Sequence, residues 1–405
     1  MKQVWLEINL SALRYNLCQI KKKLNFNFGK NPKTKKFLQK LPCCKSNLPI
    51  ANASLMKEIS NEVKVLAVVK DNAYGHSLAE VSQVLAKEKV DYFGISNVDE
   101  ARKLRKIGIK VPILNLGVIS SKEEISEIIE YDLSQTVCSR KIAFLLNKEA
   151  GANNKRIKIH LKIDTGMGRL GVFLKEGIEL AEYISRLKNL QLEGIFTHFP
   201  TGEDKKFTFS QIKEFRNFSQ KLNRKGIGFT YQHSANSLAF LNFSESWFNL
   251  IRPGIILYGI YPQFSLNKKI ELKPVLSCKT KVVYIKDIPK GWSIGYERSY
   301  TTKKKQRIAI LPVGYANGYP YNLSNNGNVL IAGMSFPVIG RVSMDQTIVR
   351  VNKEVKIGDE VVLIGKQKDK QIKVEELAKL SGTIPYEIVC RLGHLPHKFI
   401  DKDGD

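Results

Sequence analysis

The apolar run from Val65 to Val69 stops on Lys70, and Asn72, Tyr74, Gly75 and His76 follow before a helical pattern begins. A run without polar alternation fits a strand covered on both faces in a parallel sheet. Lys70 is then either the first solvated residue or a functional amine. Further along, Ile157, Ile159, Leu161 and Ile163 alternate with Lys158, His160, Lys162 and Asp164. Period two sends the two sets to opposite faces of a strand. With the apolar set turned to covering helices, the ionisable set faces a barrel lumen, where charge is expensive unless paired. A solvated edge strand is the other reading of that alternation.

More polar residues fall at strand ends. Gly166, Gly168 and Gly171 make a permissive turn around Arg169. His198 follows the apolar run 192–196, Asn236 and Ser237 follow the next, and Arg252, Gly254 and Ile255 follow the one after. A single histidine past a strand is more often structural than catalytic. Recurrence at one end of successive strands shifts that balance, because the C-terminal rim of a barrel carries its chemistry.

The elements that must position these groups are regular. From residue 64 onward the short apolar stretches VLAVV, YFGIS, VPILNLG, LSQTV, IKIHLKID, LEGIFTH, FTYQHSA and FNLIRPG alternate with amphipathic segments such as SLAEVSQVLAKE and SKEEISEIIEY. That order predicts a (β/α)8 barrel. A doubly wound sheet is disfavoured because no G-x-G-x-x-G follows the first strand. Past residue 262 the texture changes to close-set strands with Gly and Pro punctuation, which predicts a mostly β C-terminal domain. Ahead of the barrel, Leu13, Leu17, Ile20 and Leu24 form a helical stripe with Ser11 as its expected N-cap. Residues 25–58, rich in lysine and interrupted by Pro32, Pro42 and Pro49, are expected to be an exposed basic insertion.

Composition bounds the class. The 405 residues, 43% hydrophobic, are enough for a barrel and a second domain. Lys+Arg number 65 against Asp+Glu 38, a formal charge of +27, but the lysines are scattered and accompany no zinc finger, RNP pattern or basic zipper. A lysine-biased surface is expected, without a nucleic-acid role. The six cysteines show neither C-x-x-C pairs nor metal spacing, so reduced thiols and no metal are expected. Without an h-region or an apolar run of about 18 residues, a cytoplasmic protein with no membrane segment is expected.

A lysine at the end of the first barrel strand and a phosphate site at Ser237, Gly254 and Ile255, where barrels commonly hold one, point to a phosphorylated aldehyde: pyridoxal 5'-phosphate. The strings AVVKDNAYGHS, KIDTGMGRLGV, FTHF, HSANS, IRPGIILYG, GYERSY, LPVGYANGY and GRVSMDQ, in order along the chain, resemble those of alanine racemases, the fold type III pyridoxal phosphate enzymes.

The resemblance implies that Lys70 holds the cofactor covalently and then acts as one of two bases exchanging the α-proton of L- and D-alanine. Tyr74, Ser237, Gly254 and Ile255 match the phosphate ligands, and His198, Asn236 and Arg252 also match cofactor-site residues. Arg252 would meet the pyridine nitrogen; a guanidinium cannot hand over a full proton, which weakens the electron sink. Tyr296 would be the second base, arriving from the partner in a homodimer. A free tyrosine, with a pKa of about 10, needs nearby cations such as Arg169, His198 and Arg252 to favour its phenolate. Arg169 matches a substrate-site residue, and Tyr315, Met344 and Asp345 match the wall around the substrate that the partner subunit contributes. Lys162, costly to bury beside Arg169, would be carbamylated to N6-carboxylysine.

The implied organisation is a barrel over 11–262 and a mostly β domain over 263–400 joined by residues 1–10. The implied role is D-alanine supply for bacterial peptidoglycan. Where relatives often carry a tyrosine before R-V-P-R, this chain reads GHLPHK; either His394 replaces that hydroxyl or the loop is rebuilt. A serine or broad-specificity racemase would share the same catalytic residues. A noncatalytic pyridoxal phosphate binder would lack the second domain and Tyr296.

Overall fold

The computed structural model describes residues 3–28, 63–263 and 269–401. The chain opens with strand β1 (Val4–Asn9) and helix α1 (Leu10–Phe28). The helix continues through residues 25–28, where the insertion was expected to begin, and the remainder of that insertion lies outside the described residues. Leu13, Leu17, Ile20 and Leu24 are all buried, as an amphipathic stripe requires. The cap differs from expectation. Because the helix starts at Leu10, Asn9 is the residue whose side chain reaches the third helical N–H, and its Oδ1 accepts from Ala12 N at 2.9 Å. Ser11 Oγ turns instead to Asp401, at 3.3 Å.

Eight parallel strands follow: β2 (Lys64–Val68), β3 (Tyr92–Ile95), β4 (Ile113–Asn115), β5 (Leu133–Val137), β6 (Ile157–Lys162), β7 (Leu190–Phe196), β8 (Tyr231–His233) and β9 (Leu250–Ile251). Their order, β8-β7-β6-β5-β4-β3-β2-β9, is that of a nearly closed barrel. Helices α2 (Leu78–Lys87), α3 (Val98–Lys106), α4 (Lys122–Glu130), α5 (Arg140–Ala152), α6 (Leu174–Ser185), α7 (Lys205–Arg224) and α8 (Ser237–Asn242) alternate with them. Only two backbone hydrogen bonds draw the last seam together, Asn249 N to Gln232 O at 3.3 Å and Arg252 N to Ala235 O at 2.9 Å. The second brings Arg252 beside the Asn236–Ser237 loop.

The first barrel strand lacks alternation because it serves two cores. Leu66 and Val68 join Tyr92, Leu114 and Leu250 in the lumen, while Val65, Ala67 and Val69 belong to the larger core under the helices. In β6 the pattern also holds. Ile157, Ile159 and Leu161 are buried in that larger core, and His160 and Lys162 are buried as well. The edge-strand reading fails, since β6 pairs with β5 on one side and β7 on the other.

The C-terminal region is mostly β: β10 (Leu276–Lys281), β11 (Tyr284–Ile288), β12 (Ser293–Ile294), β13 (Tyr300–Thr301), β14 (Gln306–Leu311), β15 (Asn328–Ile331), β16 (Met334–Pro337), β17 (Thr347–Val351), β18 (Glu360–Gln367), β19 (Lys370–Ile372) and β20 (His397–Ile400). Its main sheet runs β16-β15-β18-β10-β1-β20, with β19 on β18. The chain's first strand thus lies inside that sheet, antiparallel to β10 and parallel to β20. Helices α9 (Val374–Ser381) and α10 (Pro385–Leu392) precede β20. No helix among the described residues is long and apolar enough to cross a membrane.

Candidate active site

Lys70 opens a turn of the unusual hand. Asp71, Asn72, Ala73 and Tyr74 all have φ of 54–55°, a region costing a non-glycine residue roughly 1–2 kcal/mol. Four in succession persist because the surroundings hold each one. Ala73 N bonds back to Val69 O at 2.9 Å, Asp71 N donates to the buried Glu100 at 2.5 Å, and Asn72 Oδ1 accepts from Leu78 N at 2.9 Å. His76 Nδ1 meets Tyr74 O at 2.8 Å.

Helix α10 closes over the turn. A Cβ built on Gly393 would stand 2.4 Å from Gly75 Cα, so backbone meets backbone there and no side chain fits at 393. His397 Nε2 reaches Gly75 O at 3.0 Å. His394 is exposed, with Nδ1 bonded to Arg391 O at 2.8 Å, and lines a surface hollow of about 520 Å³ with Asn317 and Asp345.

Across the rim from Lys70 lies a small polar cradle. A Cβ on Gly254 would meet Tyr74 Oη at 2.5 Å, and Gly254 N donates to Ser237 Oγ at 2.9 Å. Tyr74 and Ser237 therefore bring hydroxyls to one glycine, where the short turn Ile255–Tyr258 begins. Burial, with help from Tyr386 and Asp71, pushes the Tyr74 hydroxyl far above its ordinary value, so it remains a neutral donor. Asn236 caps α8 through Ala239 N at 2.9 Å.

The electrostatics of the rim are one-sided. His198 is held well below its ordinary value, first by burial and then by the fields of Arg252, Arg169, Lys162 and Lys70. All four cations thus converge on one imidazole. Lys70 Nζ lies 3.2 Å from Asp71; the other three have no ion pair among the described residues. Asp164 forms no ion pair with them; its carboxylate accepts from Gly166 N, Met167 N and Arg169 N at 2.7–3.2 Å and anchors the glycine turn, and its field only partly offsets the shift of Lys162. Burial and the fields of Arg169 and Arg252 lower Lys162 to about 8. Arg252 is buried, and its guanidinium donates to Thr197 O at 2.8 Å, Ser234 O at 3.0 Å and His233 Nδ1 at 2.8 Å.

Four residues expected to come from a partner subunit stand apart from this rim within one chain. Tyr296 sits between β12 and β13 and is 71% exposed; Tyr315, Met344 and Asp345 are also exposed. Within one chain none of them makes a hydrogen bond, ion pair or ring contact with Lys70, Arg169 or Arg252. The sequence reading missed Glu100 and Asn72, which support the turn, and Glu193 in the lumen. Glu193 was visible as a lone acid in an apolar strand. Cys138, Cys278 and Cys390 are free thiols, and no acid, histidine or cysteine cluster among the described residues could hold a metal.

The fold and rim define a barrel enzyme with a cationic, anion-seeking mouth and a β C-terminal region. Residues 50–262 match the alanine racemase N-terminal domain and residues 275–399 the alanine racemase C-terminal domain. The chain is 37% identical to the alanine racemase of Halothermothrix orenii, over 100% of this chain and 98% of that protein. It is 41% identical to alanine racemase 1 of Caldanaerobacter subterraneus subsp. tengcongensis, over 86% and 91%. Among solved structures it superposes on the alanine racemase of Clostridium difficile 630 with a TM-score of 0.85 at 33% identity, over 99% of this chain and 97% of that one. The chain belongs to the alanine racemase family, enzymes that isomerise alanine.

The buried imidazoles set a pH limit on the fold. His76, His160 and His233 have no exposure, and burial lowers all three, His76 to about 4. Unfolding returns them to about 6.5, so below that pH the unfolded chain binds more protons. Stability then rises with pH up to about 6.5 and is lost on acidification, by about 1.4 kcal/mol per pH unit for each histidine still neutral in the fold. Urea unfolding at about pH 7.5 and about pH 5.5 reads this directly, with the lower midpoint expected at the lower pH. An equal or higher midpoint at the acidic value contradicts neutral burial.

Proposed function

We propose that the protein interconverts L- and D-alanine with pyridoxal 5'-phosphate as cofactor and two bases on opposite faces of the substrate. The convergence of Lys70, Lys162, Arg169 and Arg252 on His198 carries this reading, since it calls for an anionic ligand. The residues present suit that cofactor. Lys70 supplies the amine, and the Tyr74 and Ser237 hydroxyls with the Gly254 and Ile255 N–H groups supply a phosphate cradle that a side chain at 254 would fill. Arg252 donates three of its five N–H groups at 3.0 Å or less, leaving others for a ring nitrogen. When bound, the cofactor acidifies the substrate Cα–H by withdrawing electrons from that carbon.

Lys70 Nζ takes or returns the proton on one face. On the other, the partner subunit's Tyr296 does so through its hydroxyl, which accounts for a tyrosine exposed at the tip of a β hairpin. Such sharing requires a homodimer, with Tyr315, Met344 and Asp345 also offered across the interface. The cationic rim favours the phenolate form of the incoming tyrosine. Arg169 binds the substrate carboxylate as a charge-assisted pair. Arg252, which burial lowers to about 9 and which therefore stays charged at neutral pH, positions the ring without transferring a proton. The metabolic role that follows is cytoplasmic D-alanine supply for peptidoglycan.

Lys162 fits the same reading as a modified residue. An amine near 8 is partly neutral at physiological pH and can add to CO2, forming a C–N bond and releasing one proton. The resulting carbamate reverses the charge facing Arg169 and orients it. Electron density beyond Nζ in a crystal of the holoenzyme is expected; an unextended amine contradicts it.

Function is tested by polarimetry on L-alanine with the cofactor-loaded dimer. Lys70→Ala should lose both the visible colour of the bound cofactor and turnover. Tyr296→Phe should keep the colour while the rate falls about 10²–10⁴-fold, the usual contribution of a general acid–base group. Racemisation by Tyr296→Phe at the parental rate contradicts the two-base assignment. Serine enantiomers in the same assay separate alanine preference from broad specificity.

A further inference from the structure

The barrel lumen contains a polar chain that the proposed reaction leaves without a role. Arg252, 4% exposed, can only donate. Its Nη1 lies 2.8 Å from His233 Nδ1, so that nitrogen accepts, and the proton of a neutral ring must sit on Nε2. His233 Nε2 is 2.8 Å from His160 Nδ1, which accepts in turn. The His160 proton is then on Nε2, 3.1 Å from Glu193 Oε2. Each link fixes the next, from the one end that cannot accept to a carboxylate that cannot donate. The same oxygen takes Tyr92 Oη at 2.6 Å and Ser134 Oγ at 2.8 Å.

The chain has a matched site around it. A Cβ at residue 194 would stand 2.5 Å from His160 Nδ1, so Gly194 makes room for the imidazole. The Phe196 ring stacks on His233 at 4.8 Å. Burial opposes ionisation of Glu193, but hydrogen bonds from His160, Tyr92 and Ser134 outweigh it and hold the carboxyl at about 2. Both imidazoles are kept neutral, by burial first and for His233 by the Arg252 charge next. A buried guanidinium needs compensation, and none of the side-chain or carbonyl partners of Arg252 is an acid. In a low-dielectric interior, successive hydrogen bonds polarise one another.

We propose that Glu193 is a positioning residue for Arg252, acting through His160 and His233 as its distal counter-charge and fixing which guanidinium donors remain for the ligand at the rim. The effect on the ligand rests on the cofactor reading above. The effect on the imidazoles does not.

The test uses the protein with ¹⁵N-labelled histidine, first without cofactor. In the parent, His160 and His233 should both carry their proton on Nε2. Glu193→Gln removes the charge and offers an amide donor where only acceptance is possible now, so the signals of both rings should move toward mixed tautomers, including that of His233 two links away. Tyr92→Phe keeps the carboxylate and should leave His233 on Nε2. With pyridoxal phosphate added, Glu193→Gln should shift the cofactor's visible absorbance and lower kcat by about tenfold with KM within about twofold. A His233 proton on Nδ1 in the parent overturns the proposal even if the variant does not fold. So does a Glu193→Gln protein whose His233 signal, absorbance and kcat match the parent. If the tautomers respond but no cofactor ever binds, the chain stands and the cofactor reading falls.

Discussion

Like charges gathered at one end of a low-dielectric barrel are the constraint on which the site depends. Lys162, Arg169 and Arg252 share the rim with Lys70 and have no acid paired to them among the described residues, while Asp164 is committed to the glycine turn. Two unit charges a few ångströms apart interact by several kcal/mol at intermediate dielectric. The protein meets part of that cost within itself. It lets Lys162 slide toward neutrality, gives Arg252 carbonyl and imidazole acceptors, and depresses His198 so that it adds no fifth charge. What is left over is an attraction for anions, which is why a phosphorylated cofactor and a carboxylate substrate are proposed for it.

The scaffold serves that arrangement by holding backbone in places it would not choose. The four left-handed residues after Lys70 store strain that Glu100, Asn72 and His76 offset with hydrogen bonds, and α10 caps with a glycine-to-glycine contact. The N-terminal strand ties the start of the chain to β10 and β20, the region that also brings α10 onto the turn. The weak seam between β8 and β9 is bridged by the backbone of Arg252 itself, so barrel closure and placement of the guanidinium are one event.

Much of this was legible in the sequence, for physical reasons that can be named. Periodicity revealed the eight strands because burial on two faces, or on one, leaves a direct mark on residue choice, as at Val65–Val69 and Ile157–Ile163. The rim was legible because Lys70, His198, Ser237 and Arg252 each stand just past a strand end. The helix cap was misplaced by two residues, at Ser11 instead of Asn9, since both side chains can cap and only the exact start of α1 decides. The left-handed turn was not legible. Ala73 and Tyr74 have no local preference for it, and tertiary contacts with distant Glu100 and Gly393 impose it. Glu193 was passed over for a similar reason: its meaning lies in His160, Tyr92 and Ser134, which come from other strands.

Borohydride reduction of the protein with pyridoxal 5'-phosphate, followed by peptide mapping, bears most directly on the cationic rim as a cofactor site. Reduction makes a carbonyl–amine linkage permanent. A single pyridoxyl group on the peptide containing Lys70 is predicted. Label spread over surface lysines, label on Lys162, or none would contradict it.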